Sequence, residues 1–289
     1  MFYFFAVGSL LAYVFQDFLL IRYARKIDGL SLAFYRNVSF FITLLPLLAG
    51  ASKADVFLVW QQWPLLLLSS VSGGVFLTLY NTSIRFLPAG IRSALVRAVA
   101  TITIAVIGWW VFDEKLSFVT LALLGVILGG ALVLGYSRSK LDHLDSRTGI
   151  GIALAAFAGL PLAVTHFSLI VLSRNANPLV SSYFWETSIA GACLILIFCR
   201  SFLWRKGLER ISARHFFLIA LASWPTLLGT GLYSLAAREG PAAILNGIGG
   251  LSIVVLALLA WAFYKEHLTR SQWMSISVVV VGVVALQFV

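Results

Sequence analysis

Four fixed charges lie inside long apolar runs of this 289-residue sequence: Asp17, Arg36, Arg97 and Glu186, with His166 as a fifth titratable group. An ionised side chain at the centre of a bilayer costs about 2.5–3.5 kcal/mol on insertion scales, so each such residue is by default a functional hypothesis. Their chemistry is ionic recognition and proton exchange. Asp17 stands five residues before Arg22, about 7.5 Å deep at the helical rise. Arg36 is at similar depth and of opposite sign. An offset of 149 aligns Asp17 with His166 and puts Glu186 next to the counterpart of Arg36. The expectation is one polar pair toward each membrane face, Asp17 with Arg36 and His166 with Glu186. They would act as gates or proton-coupling groups, since His166 and Glu186 can change charge. The alternative is a structural pair closing a helix hairpin.

Arg97 has no counterpart of its own kind. At an offset of 153 it maps onto Gly250. Ser93, Arg97 and Thr101 recur at i, i+4 and i+8 and so share one helix face. Asn246 and Gly250 form a polar, low-volume stripe in the matching run. Arg97 is expected to hold an anionic group such as a carboxylate by charge-assisted hydrogen bonds, or else to pair internally with Asp17 or Glu186. Asn81, Tyr233 and Trp185 complete the candidate substrate-binding set with Ser93, Thr101 and Asn246. Tyr13 and Gln16, and Thr226 and Thr230, add further polar faces at helical spacing. Trp60, Trp63, Trp109, Trp110, Trp261 and Trp273 fall near run ends and read as interfacial belts, leaving Trp185 and Trp224 as rings that could stack on a ligand.

No sequence pattern suggests bond-making chemistry. There is no HExxH, no clustered acidic metal motif, no Ser-His-Asp set and no GxxxxGK[ST] loop, so neither an enzyme nor an ATP-driven pump is expected, and no cofactor or metal. Cys193 and Cys199, six residues apart in one apolar run, read as packing residues.

The elements that must carry these residues follow from composition. The chain is 61 % hydrophobic and 11 % charged with a mean hydropathy of +0.97, where a soluble domain is about 25 % charged. A soluble globular fold is excluded. Ten runs have the length of a spanning helix, at 2–21, 31–49, 63–84, 89–111, 118–136, 149–173, 178–199, 215–236, 241–263 and 271–288. The breaks are too short for a soluble domain. Of the 21 basic residues, 15 fall in odd-numbered loops and 4 in even-numbered ones. Lys and Arg in short loops stay cytoplasmic, which puts both termini outside. The net charge of +10 therefore reflects topology and anionic headgroups, with no nucleic-acid partner.

The sequence repeats itself. Tyr80-x4-Arg85-x2-Pro88-Ala89 recurs as Tyr233-x4-Arg238-x2-Pro241-Ala242, and Glu114-Lys115-Leu116-Ser117 recurs as Glu266-His267-Leu268-Thr269. Two five-helix halves, 1–148 and 149–289, follow. Five is odd, so the halves enter the membrane from opposite sides as an inverted repeat. In span five, Gly125 and Gly129 form a GxxxG with Gly130 beside it, suited to close helix contact with span ten or with a second protomer. Monomer and homodimer both remain open.

These motifs resemble those of the drug/metabolite transporter superfamily, specifically its ten-helix EamA-type branch. Pro88-Ala89, Glu114 to Ser117 and Gly125 to Gly130 match in the first half; Pro241-Ala242, Glu266 to Thr269 and Gly282 match in the second. Two departures stand out. Where the family often has a Pro about fourteen residues before the Glu, this chain has Ala100 and Ser252. The family's cytoplasmic termini also oppose the charge count. The resemblance implies an all-α integral membrane protein, expected in the bacterial inner (plasma) membrane in contact with lipid. The implied function is export or exchange of small polar metabolites, amino acids or related zwitterions foremost, by alternating access between the repeats. Sugars, nucleotide sugars, organic cations and passive conduction are the alternatives.

Overall fold

The computed structural model describes residues 1–289 except 25, 84, 88, 138–145, 265–268, 286, 287 and 289, and, for backbone alone, 21, 22, 89–91, 134–137, 146–148, 204, 257, 260, 261, 263, 264 and 271. Pro88 and the second Glu-x-Leu segment of the repeat thus lie outside the described residues. The described chain is helical: α1 (Phe2–Ala24), α2 (Gly29–Thr43), α3 (Lys53–Gln61), α4 (Trp63–Ser83), α5 (Ala89–Val111), α6 (Phe118–Ser137), α7 (Ser146–Asn175), α8 (Pro178–Trp204), α9 (Ala213–Ser223), α10 (Thr226–Glu239), α11 (Ala242–Ile248), α12 (Leu251–Tyr264) and α13 (Arg270–Ala285). A 3-10 turn, Leu45–Leu48, follows α2.

Local chemistry explains the boundaries. Asp28 caps α2 by accepting from the Ser31 N–H at 3.2 Å, and the turn carrying Pro46 ends it after 15 residues. α8 starts on the Asn177 side chain and Pro178 at its first position, and stops where Arg205 turns left-handed at φ 52°. Two of the expected runs are broken helices. Pro225 has no N–H to continue the ladder between α9 and α10, and Gly249-Gly250 separates α11 from α12. The sequence reading missed α3, which a Ser52/Asp55 capping box starts inside a presumed loop.

Among the described residues, six stretches are long and apolar enough to cross a membrane: Phe2–Leu20, Trp63–Ser83, Arg92–Val111, Gly149–Asn175, Pro178–Leu203 and Ala213–Glu239. Phe118–Val133, Ala242–Leu256 and Gln272–Ala285 are shorter apolar helices. The protein is an integral membrane protein. Its outward rings are those expected of a lipid-facing surface: Trp109, Trp110, Trp60, Trp63 and Trp273 are all exposed, Trp110 by 85 %. Trp224 is exposed as well, so the expectation that it faces inward is corrected: it caps α9 at the helix break.

The chain divides into two compact units, Met1–Thr82 with Val164–Glu239 and Ser83–Ala163 with Gly240–Val289. In the first, α1 packs along α10 and α2 along α8. Gly8 and Gly73 let Leu232 and Ile189 approach so closely that a Cβ would meet them at 2.9 and 2.7 Å. Leu30, Ala33, Leu77, Ile189, Cys193 and Ile197 form one core cluster there. In the second unit α6 packs on α13. Gly130 faces Val279, and Gly282 faces Ile127. Close contact therefore runs through Gly130, while the space beside Gly125 and Gly129 is open.

Candidate functional site

The first unit holds a buried ionic network whose pairing differs from the expected one. The Arg36 guanidinium lies 4.0 Å from the Glu186 carboxylate. Asp17 instead accepts from the Tyr80 hydroxyl at 3.3 Å. The physical reason is neighbourhood: α2 packs against α8, so Arg36 meets the carboxylate on α8 rather than Asp17, which only matches it in depth. At 4.0 Å the pair is long, and Gln16 shares the cation. With the Gln16 amide assigned to face its partners, its oxygen accepts from Arg36 Nε at 2.7 Å and Nη2 at 3.2 Å, while its nitrogen donates to Thr226 Oγ1 at 2.8 Å. Phe40 offers its ring face to the guanidinium 5.1 Å from the centroid.

Glu186 is 2 % exposed and also accepts from the Tyr13 hydroxyl at 3.4 Å. Gly229 clears room for that ring, since a Cβ there would sit 3.2 Å from it. His166 is stacked obliquely on Tyr233, centroids 4.8 Å apart, with Trp185 6.4 Å away. The Trp185 indole N–H donates to the Thr165 carbonyl at 3.0 Å. Asn81 donates to the Gly29 carbonyl at 3.2 Å, at a point where α4 and α2 are too close to admit a Cβ on Gly29; its amide ties two helices together.

The second unit carries the other candidates. The face of α5 bearing Ser93, Arg97 and Thr101 meets α11. Thr101 Oγ1 donates to the Asn246 carbonyl at 3.2 Å, and the Asn246 amide donates back to Ala242 at 3.0 Å. The Arg97 side chain passes the helix break, where a Cβ on Gly249 would stand 3.4 Å from Nη1. Around that break the backbone bonds shorten in register, Gly249 to Asn246, Gly250 to Gly247 and Ser252 to Gly249, the tighter pattern of a 3-10 turn. Ser252 Oγ is buried beside it without a hydrogen-bond partner. Arg97 itself is partly buried, and among the described residues no ion pair or hydrogen bond engages it. Arg92, counted above with the loops, is a buried residue in the first turns of α5.

Residues of the repeat motif prove to be structural. Both carboxylate oxygens of Glu114 accept from the Ala242 N–H, at 3.2 and 3.0 Å, so the Glu of one half caps the Pro-Ala helix entry of the other. Gly108 makes space for that carboxylate, and Asp113 at φ 52° turns the chain toward it.

One further cluster carries no motif in the sequence, because Arg200 and Lys206 count there only toward topology and Asp28 and Glu209 stand apart as single acids. Arg200 Nη1 donates to Asp28 at 2.6 Å, while its Nε and Nη2 hold the carbonyls of Lys206 and Gly207 at 3.0 and 2.9 Å. Lys206 stands 3.8 Å from Asp28. Glu209 closes the knot: its carboxylate accepts from the Asp28 N–H at 2.7 Å, its N–H donates to Ser31 at 3.1 Å and its carbonyl accepts from Tyr35 at 2.8 Å. Burial pushes the Asp28 carboxyl up, but the hydrogen bonds from Arg200 and Ser31 outweigh it and hold the group below its ordinary range.

No curated protein matches the chain. A solved crystal structure of a protein 14 % identical in sequence shares the fold, with a TM-score of 0.74 over 99 % of this chain and 96 % of that one. The model of the EamA-like transporter family matches twice, over residues 1–136 and 149–288. With nearly the whole sequence covered, and with ionic groups held within membrane-crossing helices, the chain belongs to the EamA-like transporter family of membrane transporters for small molecules.

Proposed function

We propose that this protein is a secondary transporter, exporter or exchanger, of small polar metabolites carrying a carboxylate, foremost amino acids and related zwitterions. The observation that carries this reading is Arg97: a cation inside a span, beside a broken helix, with no carboxylate engaging it among the described residues. A desolvated guanidinium needs an anion, and the substrate supplies one through paired N–H donors. Ser93 and Thr101 lie along the same face of α5, Asn246 meets that face from α11, and Asn81, Tyr233 and Trp185 are the remaining substrate-binding candidates. Arg36 with Glu186, together with Asp17 and His166, serve gating or proton coupling.

The mechanism is alternating access by ten spans in two inverted repeats, 1–148 and 149–289. Its support is threefold. The family model matches each half once. Each compact unit is built from corresponding pieces of the two halves. The repeat counterparts α2 and α8 run antiparallel, Asp28 meeting Arg200 at one end and the Tyr183 hydroxyl meeting the Phe41 carbonyl at the other. Both termini are placed outside by the charge count, in a bacterial inner membrane.

Counterflow in proteoliposomes tests the reading, with amino acids, sugars and quaternary amines compared. Saturable exchange of carboxylate-bearing substrates, lost in Arg97→Ala, is the expected result. Preference for sugars or organic cations, or flux without exchange acceleration, overturns it; unchanged affinity in Arg97→Ala removes the ligand role.

A further inference from the structure

Repeat symmetry connects the two ends of the α2–α8 pair. At the offset of 149, Asp28 corresponds to Asn177, Tyr35 to Phe184, Arg200 to Ala51 and Glu209 to Trp60. The structure honours that correspondence in space while changing its chemistry. Asp28 and Asn177 are both N-caps, of α2 and α8. Tyr35 reaches Glu209 through a hydrogen bond of 2.8 Å. Phe184 reaches Trp60 through a ring contact, centroids 5.8 Å apart. At one end Asp28 is clamped by Arg200 at 2.6 Å, and the strap 205–212 is stitched across the start of α2 by Arg200, Glu209 and Tyr35. At the other, Asn177 caps the first N–H groups of its own helix and its side chain also meets the Asp55 carboxylate of α3. The segment equivalent to the strap is α3, resting its Trp60 on Phe184.

We propose that the Asp28–Arg200–Glu209 clasp is a latch: it holds the end of the first unit that carries the α1–α2 and α8–α9 loops shut, and the aromatic counterpart at Phe184 and Trp60 is the end that yields first. The inference rests on the alternating-access reading, under which two equivalent ends must open in turn. Two ends of equal strength would leave the carrier without a preferred resting state. Here one end has an ion pair and charge-assisted hydrogen bonds on a carboxylate with a side chain only 14 % exposed, and the other has a ring contact, the Tyr183 hydrogen bond at 3.3 Å and a neutral Asn cap beside Asp55, with no ion pair among the described residues. Charge-assisted bonds are roughly twice as strong as neutral ones, so the resting population is latched at the charged end.

The molecule contains its own reporter. Cys193 is fully buried, seven residues before Arg200 on α8 and packed in one cluster with Leu30 and Ala33 of α2. In a Cys199→Ser background, maleimide labelling of Cys193 in detergent, without substrate, reads opening of that end. Asp28→Asn and Arg200→Gln each accelerate labelling by about tenfold or more, the scale of one charge-assisted hydrogen bond. The double variant is no faster than the singles, as expected of one shared interaction. Glu209→Gln, which spares the ion pair, gives a smaller increase and covers the case in which the ion-pair variants fail to fold. Trp60→Ala leaves Cys193 labelling unchanged. Unaltered labelling in Asp28→Asn and Glu209→Gln overturns the latch, and so does faster labelling with wild-type counterflow. If the wild-type protein exchanges no substrate of any class, the transporter reading fails on its own, while the labelling result still decides whether the clasp controls opening.

Discussion

Arg36 and Arg97, both partly buried within helices, present opposite solutions to one problem. Arg36, in the first unit, is surrounded by compensation: Glu186, the Gln16 amide and the Phe40 ring. Arg97, in the second unit, lies beside a broken helix with nothing of opposite charge against it among the described residues. The first arrangement is self-sufficient and helps to fix how helices pack. The second is incomplete by itself, which is what a binding residue requires. Charges within helices thus divide into one that the fold neutralises and one that, on the proposed function, a ligand completes.

That contrast can be broken experimentally. The largest effect is expected at Glu186. Glu186→Gln strands a buried guanidinium and destabilises the protein by about 3–5 kcal/mol, whereas Arg36→Met with Glu186→Leu recovers most of the loss; thermal unfolding in detergent measures both. Equal destabilisation of single and double variants would show that Arg36 does not depend on its carboxylate. Next comes Arg97→Ala, expected to lower affinity for carboxylate substrates about 10- to 100-fold, equivalent to roughly 1.5–3 kcal/mol, with no loss of thermal stability. A fall in unfolding temperature like that of Glu186→Gln would erase the distinction between the two arginines.

A smaller change sharpens the role of the helix break. Gly249→Ala puts a Cβ 2.7 Å from the Asn246 carbonyl and 3.4 Å from the Arg97 guanidinium. It should cost about 1–3 kcal/mol and raise the KM for substrate more than it lowers the maximal rate. The smallest response belongs to pH. Asp28 is held below its ordinary value, so its contribution is complete above the unfolded Asp pKa of about 3.9 and is lost as pH falls through the lowered folded value. Arg200, Lys206 and Glu209 are the charged groups that face it. Labelling of Cys193, divided by the rate at which a free thiol reacts with the maleimide at the same pH, should therefore be flat between pH 5 and 8; relative acceleration on mild acidification would mean that another group controls the clasp.

Residue types were easier to read from the sequence than partners. Apolar runs mark where helices lie, because a membrane-crossing segment must be long and nearly free of charge. α3 was hidden because its nine residues sit between longer runs and its cap, Ser52 with Asp55, resembles an ordinary polar loop. The breaks at Pro225 and Gly249-Gly250 had visible signals, but helical hydropathy continues across both. Asp17, Arg36, Arg97, His166 and Glu186 stood out by cost alone. The pairing of Arg36 with Glu186 did not, since it depends on which helices become neighbours. Asp28 and Arg200 were missed for a different reason: a loop charge carries the same signal whether it faces headgroups or grips another loop.

The solitary guanidinium has an electrical consequence. It resides nine positions into a 23-residue helix, so on the proposed function its charge stands bare in the membrane field when the site is empty and is met locally when a carboxylate fills it; a simple carboxylate anion changes the total charge by one, and a zwitterion, bringing its own ammonium, does not. Moving one elementary charge through 100 mV is worth about 2.3 kcal/mol. Whatever fraction of the field Arg97 crosses during the cycle, an anion riding with it would remove one charge from the loaded step and a zwitterion would remove none, so the difference in voltage dependence between loaded and empty steps would report which of the two the site carries.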